Sequence, residues 1–390
     1  MNNPAITRRR FLAGTAGLAA LALAGCGGTA APASSAAASS SLPAGEWQKQ
    51  WDSWLEGAKK EGKLVLATGP SPDARVKVPE AFKKAFGVDV EYLGSSTSEL
   101  ANRLRSEEAA NQFTVDVNLS GASTAYATLY PEKMVVPIKP YLIRPDVLDP
   151  SVWASGKGVW YMDPGSEYFV RISNVASPEI GVATEFMKPD ALTSWQDLLK
   201  PEYKGKITAM DPSQAGSGSQ TGAYLYKTLG EDWAKRFYVD QQPGITADER
   251  QMADDMVRGK YPIAVGLQAQ QAVRLQQDGL KFAVLRAWPD APGYTSAAFG
   301  ILGMFKNPPH PNAAKLFLNW VLTKEGQIAW NSAWKTASVR TDVDNSWVPD
   351  YIVPKPGVKY MDAYDWDYAG KGVREVNDWY KTLLAGRPTG

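Results

Sequence analysis

The sequence predicts an α/β fold of two lobes joined by a hinge, each lobe a mostly parallel sheet flanked by helices. Three observations predict it. Short apolar runs ending in glycine alternate with amphipathic helical stretches, the pattern that lays a parallel sheet between helices. The alternation begins again after an aromatic and β-branched stretch at residues 159–175. About 345 residues remain once an N-terminal leader and tether are set aside, more than one domain usually holds.

The leader comes first. Thr7-Arg8-Arg9-Arg10 supplies positive charge, and residues 11–24 follow as an uncharged run of fourteen. A bilayer-spanning helix needs ~20 residues, so this run has the length of a signal-peptide core instead. It closes in Leu23-Ala24-Gly25-Cys26, which resembles the bacterial lipoprotein cleavage motif and implies diacylation of Cys26. Arg8-Arg9 ahead of Phe11-Leu12 resembles a twin-arginine export signal; an ordinary Sec signal is the alternative. Residues 27–45 are almost all Gly, Ala, Ser, Thr and Pro, too polar and small to bury a core, hence a flexible tether.

Folded elements then follow in order. Lys63-Leu64-Val65-Leu66-Ala67-Thr68 reads as a buried strand, and Val78, Phe82 and Phe86 mark one helix face that Gly87 ends. A second strand covers residues 88–94. Ser96-Thr97-Ser98-Glu99 is a capping box opening a helix that carries Leu100 and Leu104. A third strand at 115–121 precedes a short helix at 123–130. Residues 159–175 read as strands crossing to the second lobe. There a strand at 206–210 leads through a loop into a helix ending at Leu229. Thr246-Ala247-Asp248-Glu249 reads as another capping box, and strands at 261–267 and 281–288 flank a Gln-rich helix. Residues 299–305 return to the first lobe. Ala313, Leu316, Phe317, Trp320 and Val321 form a helical stripe of core type. The aromatic, proline-rich tail from Trp347 is expected to wrap one lobe. The boundaries are thus 1–25 for the signal peptide and 26–45 for the lipidated tether. Residues 46–168 with 289–345 make the first lobe, and 169–288 with 346–390 the second.

Composition excludes several functions. Losing Arg8, Arg9 and Arg10 with the leader takes the formal charge from +1 to −2, so no basic face for nucleic acid is expected. Cys26 is the single cysteine and His310 the single histidine, which leaves no disulfide, no cysteine nucleophile and no His₂ or Cys/His metal site. His310, in Pro308-Pro309-His310-Pro311, reads as a turn or capping residue before a helix. No catalytic residue, metal or cofactor is expected.

In open α/β sheets ligands bind beyond the carboxyl ends of the strands. Four strand-to-helix junctions here are rich in hydroxyls and glycine: Thr68-Gly69-Pro70-Ser71, Gly94-Ser95-Ser96-Thr97-Ser98, Ser120-Gly121-Ala122-Ser123-Thr124, and Gly216-Ser217-Gly218-Ser219-Gln220. Such residues also turn and cap chains for purely local reasons. Divided between two lobes, however, the four predict a cleft with hydrogen-bond donors on both walls. Other motifs fail. Thr221 stands where a dinucleotide-binding fingerprint needs its third glycine. Gly121-Ala122-Ser123-Thr124-Ala125 resembles a hydrolase nucleophile elbow, but its last residue is Ala and its only base would be His310.

From about Trp47 to Val343 the chain resembles the bacterial extracellular solute-binding proteins of family 1, in the ferric-ion-type branch. The resemblance is carried by Ala58-Lys59-Lys60-Glu61-Gly62-Lys63-Leu64-Val65, Ser194-Trp195-Gln196-Asp197-Leu198-Leu199, Tyr203-Lys204-Gly205-Lys206-Ile207 and Asp211-Pro212. His310-Pro311-Asn312-Ala313-Ala314-Lys315-Leu316-Phe317 and Lys324-Glu325-Gly326-Gln327 complete it. It implies the two-lobed periplasmic-binding-protein-like fold (type II). It also implies lobes that close on a small-molecule solute and deliver it to the permease of an ABC importer; with the leader and Cys26, an exported, lipid-anchored monomer is expected. Ferric-binding members carry adjacent tyrosines where this chain has Leu267-Gln268-Ala269-Gln270-Gln271, and glutamine is a poor ligand for a hard trivalent ion. A small anionic or polar organic solute therefore fits better than iron, which stays as the alternative beside a Ser123/His310 hydrolase. Gln268 joins the expected ligand residues, and Tyr161, Tyr168, Arg171 and Tyr294 are candidate aromatic and cationic walls.

Overall fold

The computed structural model describes residues 45–386 apart from Ser96, Pro178, Glu179, Ala215, Arg286, Ala287, Pro289 and Pro356, and without the side chains of Thr97, Ser98, Ser123 and Ala127. The leader, Cys26 and residues 27–44 lie outside the described residues. The strands, in chain order, are β1 Lys63–Thr68, β2 Asp89–Gly94, β3 Val117–Ser120, β4 Val135–Val136, β5 Val170–Arg171, β6 Val175–Ala176, β7 Ile180–Ala183, β8 Ile207–Met210, β9 Gly244–Thr246, β10 Ile263–Val265, β11 Phe282–Leu285, β12 Tyr294–Ser296, β13 Ile301–Phe305 and β14 Met361–Asp362.

They form three sheets. The first runs β2-β1-β3-β13-β4, with β5 also on β13; the second runs β11-β7-β10-β8-β9; the third is β14-β12-β6. In the first, β1 is parallel to both β2 and β3, while the returning β13 is antiparallel to β3, β4 and β5. In the second, β8 is parallel to β9 and β10, and β7 is antiparallel to β10 and β11. Each large sheet thus has three parallel strands at one end and antiparallel strands at the other. The sequence pattern does not distinguish these, because an apolar run has no direction.

Burial follows strand alternation. On β1, Leu64 and Leu66 face a core with Phe82, Phe317, Trp320 and Trp330, while Val65 and Ala67 face the opposite core with Leu100 and Leu104. Both faces are covered, which is why the strand reads as one continuous apolar run. The stripe predicted at residues 313–321 lies on the helix Pro311–Leu322, where Phe82 meets Phe317 and Trp320 at ring separations of 5.3 and 5.2 Å.

Several boundaries differ from the expectation. The chain leaves the first sheet after Arg171 rather than after 168, and it re-enters at Ile301, because β12 pairs with β6 and β14. The third sheet is not visible in the pattern, since two- and three-residue strands carry no period. Asp248, not Thr246, caps the helix Glu249–Val257, accepting the Arg250 and Gln251 N–H groups; Thr246 ends β9. The tail does not keep to one lobe. Trp366 packs on Tyr126 and Tyr130 beside the first sheet, whereas Tyr380 donates to the Gly222 carbonyl on the helix Ser217–Leu229.

Candidate functional site

Parallel register brings three of the hydroxyl-rich junctions together. Thr68 lies opposite Gly94 on one side and Leu119 on the other, so β1, β2 and β3 end level with one another. Their carboxyl ends open into a cavity of about 240 Å³ lined by Thr68, Gly69, Pro70, Ser95, Ser120 and Phe299. Leu100 and Thr124 complete its wall. The Thr68 side chain is 1% exposed. Its Oγ1 and the buried Ser95 Oγ have no hydrogen-bond partner among the described residues, although Thr68 lies close enough to the Tyr92 phenol to pull its pKa down. Buried hydroxyls without partners are costly and rare, and here both border an open volume. Burial still wins at Tyr92, whose pKa is pushed up to about 12; its hydroxyl donates to the Gly69 carbonyl at 2.8 Å.

The remaining first-lobe candidates have local roles or lie outside what is described. Ser71 caps the helix Pro72–Phe86 by accepting the Ala74 N–H. Ser96 lies outside the described residues, as do the side chains of Thr97 and Ser123. Gly69 is glycine because Phe299 comes so close: a Cβ there would sit 2.3 Å from the ring, which itself stacks on Trp334 at 4.5 Å. Gly69→Ala is therefore expected to displace Phe299 and cost about 1–3 kcal/mol, as overpacking does. Urea melts of the variant check this, and an unchanged midpoint would contradict the close packing.

In the second lobe the picture is more structural. Gly218 packs on the Asp211 backbone, whose oxygen a Cβ would meet at 2.1 Å. Ser219 Oγ accepts the Gly216 N–H and donates to the Gly216 carbonyl, so it closes its own turn. Gln268 turns its amide onto the Gly266 carbonyl at 2.9 Å. Ser217 alone reaches outward, hydrogen-bonding Glu249, whose carboxyl burial holds above the usual carboxylate range. Glu249, Thr246 and Gln271 line an open depression there. Tyr364, from the tail, links the two halves. Its hydroxyl donates to the Ala298 carbonyl at 2.7 Å and lies within reach of the Ala122 N–H, beside Gly121, and of the Gln220 side chain.

Other candidates are accounted for. Arg171 is fully buried and bound to Asp362, so it is not a cation of the cleft. Tyr294 is buried against Tyr224, Tyr168 packs edge-on to Tyr130, and Tyr161 lies under Lys139. His310 hydrogen-bonds through Nδ1 to the buried Asp116, one residue before β3, whereas Ser123 follows the other end of that strand. From Asp116 to Ser120 the strand spans about 13 Å, so His310 and the residue after β3 sit at opposite ends of it, too far apart for direct proton transfer. Among the described residues no group of three or more His, Cys, Asp or Glu is placed to hold a metal ion. No helix among them is long and apolar enough to cross a membrane.

The sequence profile of the bacterial extracellular solute-binding proteins matches residues 77–354. Two curated relatives align over part of the chain. One is an uncharacterized Haemophilus influenzae protein, 29% identical over 140 residues, which are 35% of this chain and 39% of that protein. The other is a Salmonella typhi periplasmic protein provisionally assigned to 2-aminoethylphosphonate binding, 26% identical over 164 residues, 40% of this chain and 48% of that protein. Each alignment spans less than half of the relative. Solved structures match more widely. Trichodesmium FutA (IdiA), solved with iron and citrate, superimposes at a TM-score of 0.64 and 19% identity over 83% of this chain and 99% of its own. Actinobacillus pleuropneumoniae AfuA, with fructose-6-phosphate bound, gives 0.61 and 19% identity over 83% and 98%.

Proposed function

The chain belongs to the bacterial extracellular solute-binding proteins, and we propose that it captures a small anionic or polar organic solute outside the membrane and hands it to the permease of an ABC importer. One observation carries the choice of solute. The cavity where β1, β2 and β3 end is lined by hydroxyls, among them the buried Thr68 and Ser95 oxygens that have no partner of their own. The relatives whose names or bound ligands include 2-aminoethylphosphonate and fructose-6-phosphate support the same class of cargo, whereas the iron held with citrate in FutA is the alternative. We read the protein as a monomer that makes and breaks no bond. Its lipid anchor is Cys26, at the end of Leu23-Ala24-Gly25-Cys26. Uptake requires the solute to bind the closed arrangement of the lobes more tightly than the open one.

A thermal-shift screen of the full chain tests this reading. The panel is phosphonates, sugar phosphates, carboxylates, amino acids, neutral sugars and ferric citrate. A solute at 100 times its dissociation constant stabilises the fold by ~2.7 kcal/mol, a plainly measurable shift. At least one organic solute is expected to do so, and Ser95→Val is expected to remove the shift. Stabilisation by ferric iron alone would replace the organic solute with a metal, and stabilisation by nothing would sink the reading.

A further inference from the structure

The geometry points to Arg75 as the charge that makes this cavity an oxyanion site, one that takes the phosphonate, phosphate or carboxylate end of the solute; the inference rests on the solute-binding reading above. Arg75 lies in the first turn of the helix Pro72–Phe86. A cation is disfavoured there by the helix dipole. The acid of that turn, Asp73, is paired with Lys77 at 2.8 Å, and while the Arg75 backbone N–H donates to the Ser71 carbonyl, its guanidinium has no hydrogen bond or ion pair among the described residues. Its guanidinium instead lies over the Tyr92 ring, 5.8 Å from the centroid. A ring face steadies the group and leaves its N–H donors free.

Its position relative to the cavity follows from Gly94. A Cβ on Gly94 would lie 3.2 Å from Arg75 Nη2 and 3.3 Å from the Pro70 Cα. The absent side chain at the end of β2 thus leaves the guanidinium room beside Pro70, which lines the cavity, and next to Ser95. Thr68 Oγ1 and Ser95 Oγ are buried there without partners, and among the described residues no acid lines the cavity. The guanidinium thus lies beside the Pro70 edge of a volume that the Thr68 and Ser95 hydroxyls border. An oxyanion supplies acceptors to all three and compensates the charge; a neutral solute leaves the charge unused.

Calorimetric titration of the full chain and its Arg75→Gln and Arg75→Lys variants tests this. The probes are 2-aminoethylphosphonate, fructose 6-phosphate, citrate and inorganic phosphate, with fructose as the neutral control. At least one oxyanion is expected to bind the parent, to bind Arg75→Gln roughly 10- to 100-fold more weakly, and to recover part of that loss in Arg75→Lys. The unliganded Arg75→Gln protein is expected to melt within about 2 °C of the parent, as a surface change with no lost ion pair does. Oxyanion binding unchanged in Arg75→Gln would overturn the inference. So would tight binding of fructose with none of the oxyanions, which would leave the solute-binding reading standing. If neither these probes nor the wider panel of solutes bound the parent, both would fall.

Discussion

Replacing Asp116 with alanine is expected to cost the fold about 2–5 kcal/mol, measured as the loss of unfolding free energy in urea. The Asp116 carboxylate is fully buried and accepts three hydrogen bonds: the Val65 N–H at 2.7 Å, the His310 N–H at 2.7 Å and the His310 ring at 2.9 Å. These tie β1 and the residue before β3 to the entry of the helix Pro311–Leu322, the main covering of one sheet face. Alanine orphans the buried Val65 N–H and the half-buried His310 N–H, each costing on the order of 1–3 kcal/mol. Asp116→Asn keeps one acceptor and is expected to lose less. The pH dependence separates these terms. Burial raises the Asp116 pKa despite the hydrogen bonds that lower it. A carboxyl raised in the folded state favours folding below its unfolded value, and that contribution disappears as pH rises through the folded value. The parent should therefore lose stability relative to Asp116→Asn as pH rises from the unfolded value of a carboxyl, with no further divergence at neutral pH. A gap that narrowed toward acid would show that the hydrogen bonds outweigh burial. Solute affinity should not change, because Asp116 lies at the end of β3 away from the cavity.

The way the sequence encodes this site explains which parts of it were legible. Thr68, Gly69 and Ser120 stand at the ends of runs whose burial is continuous, so the apolar pattern marks the strand and the residue type marks its end, while Ser95 follows the half-buried edge strand β2. Three adjacent parallel strands then have to bring those ends together. Ser219, Gly218 and Gln268 satisfy the same pattern for local reasons: one closes a turn, one permits a close backbone approach and one ties down a carbonyl. Residue type alone cannot separate these cases, because a hydroxyl that caps and a hydroxyl that binds are chemically the same. Arg75, Phe299 and Tyr364 were illegible for another reason. Arg75 lies on an otherwise ordinary exposed helix turn, and it gains meaning only through the missing side chain of Gly94. Phe299 and Tyr364 reach the site through chain returns of more than 200 residues, which no local period records.

Asp362→Ala is expected to cost about 3–5 kcal/mol and, unlike the change at Asp116, to weaken solute binding as well. Arg171 has no exposed surface, and both Asp362 oxygens lie 2.9 Å from its Nη1. Its other groups are spent on the Ser173 carbonyl and Asn174 Oδ1, with the Trp160 ring 4.7 Å away. Removing Asp362 thus leaves a buried guanidinium with no counter-charge, the costly half of a buried pair. The same carboxylate accepts the Tyr364 N–H at 2.9 Å, so it also sets the phenol that spans Ala298, Ala122 and Gln220. Beyond it, Trp366 seats the tail on Tyr126 and Tyr130, Tyr380 seats it on the second-lobe helix through the Gly222 carbonyl, and Asn377 on the segment ahead of that helix through the Pro212 carbonyl. A segment held on both lobes biases how they close, and a change in that bias appears directly in apparent affinity. Exchanging both partners for apolar residues, Arg171→Met with Asp362→Leu, should restore most of the stability, since no charge is then left buried. It should not restore affinity, because the Tyr364 N–H still lacks its acceptor. Urea melts and solute titrations on the single and double variants give both readouts. A single variant within about 1 kcal/mol of the parent would mean that Arg171 finds water or another partner. Affinity recovering together with stability would remove Tyr364 and the tail from any part in closure.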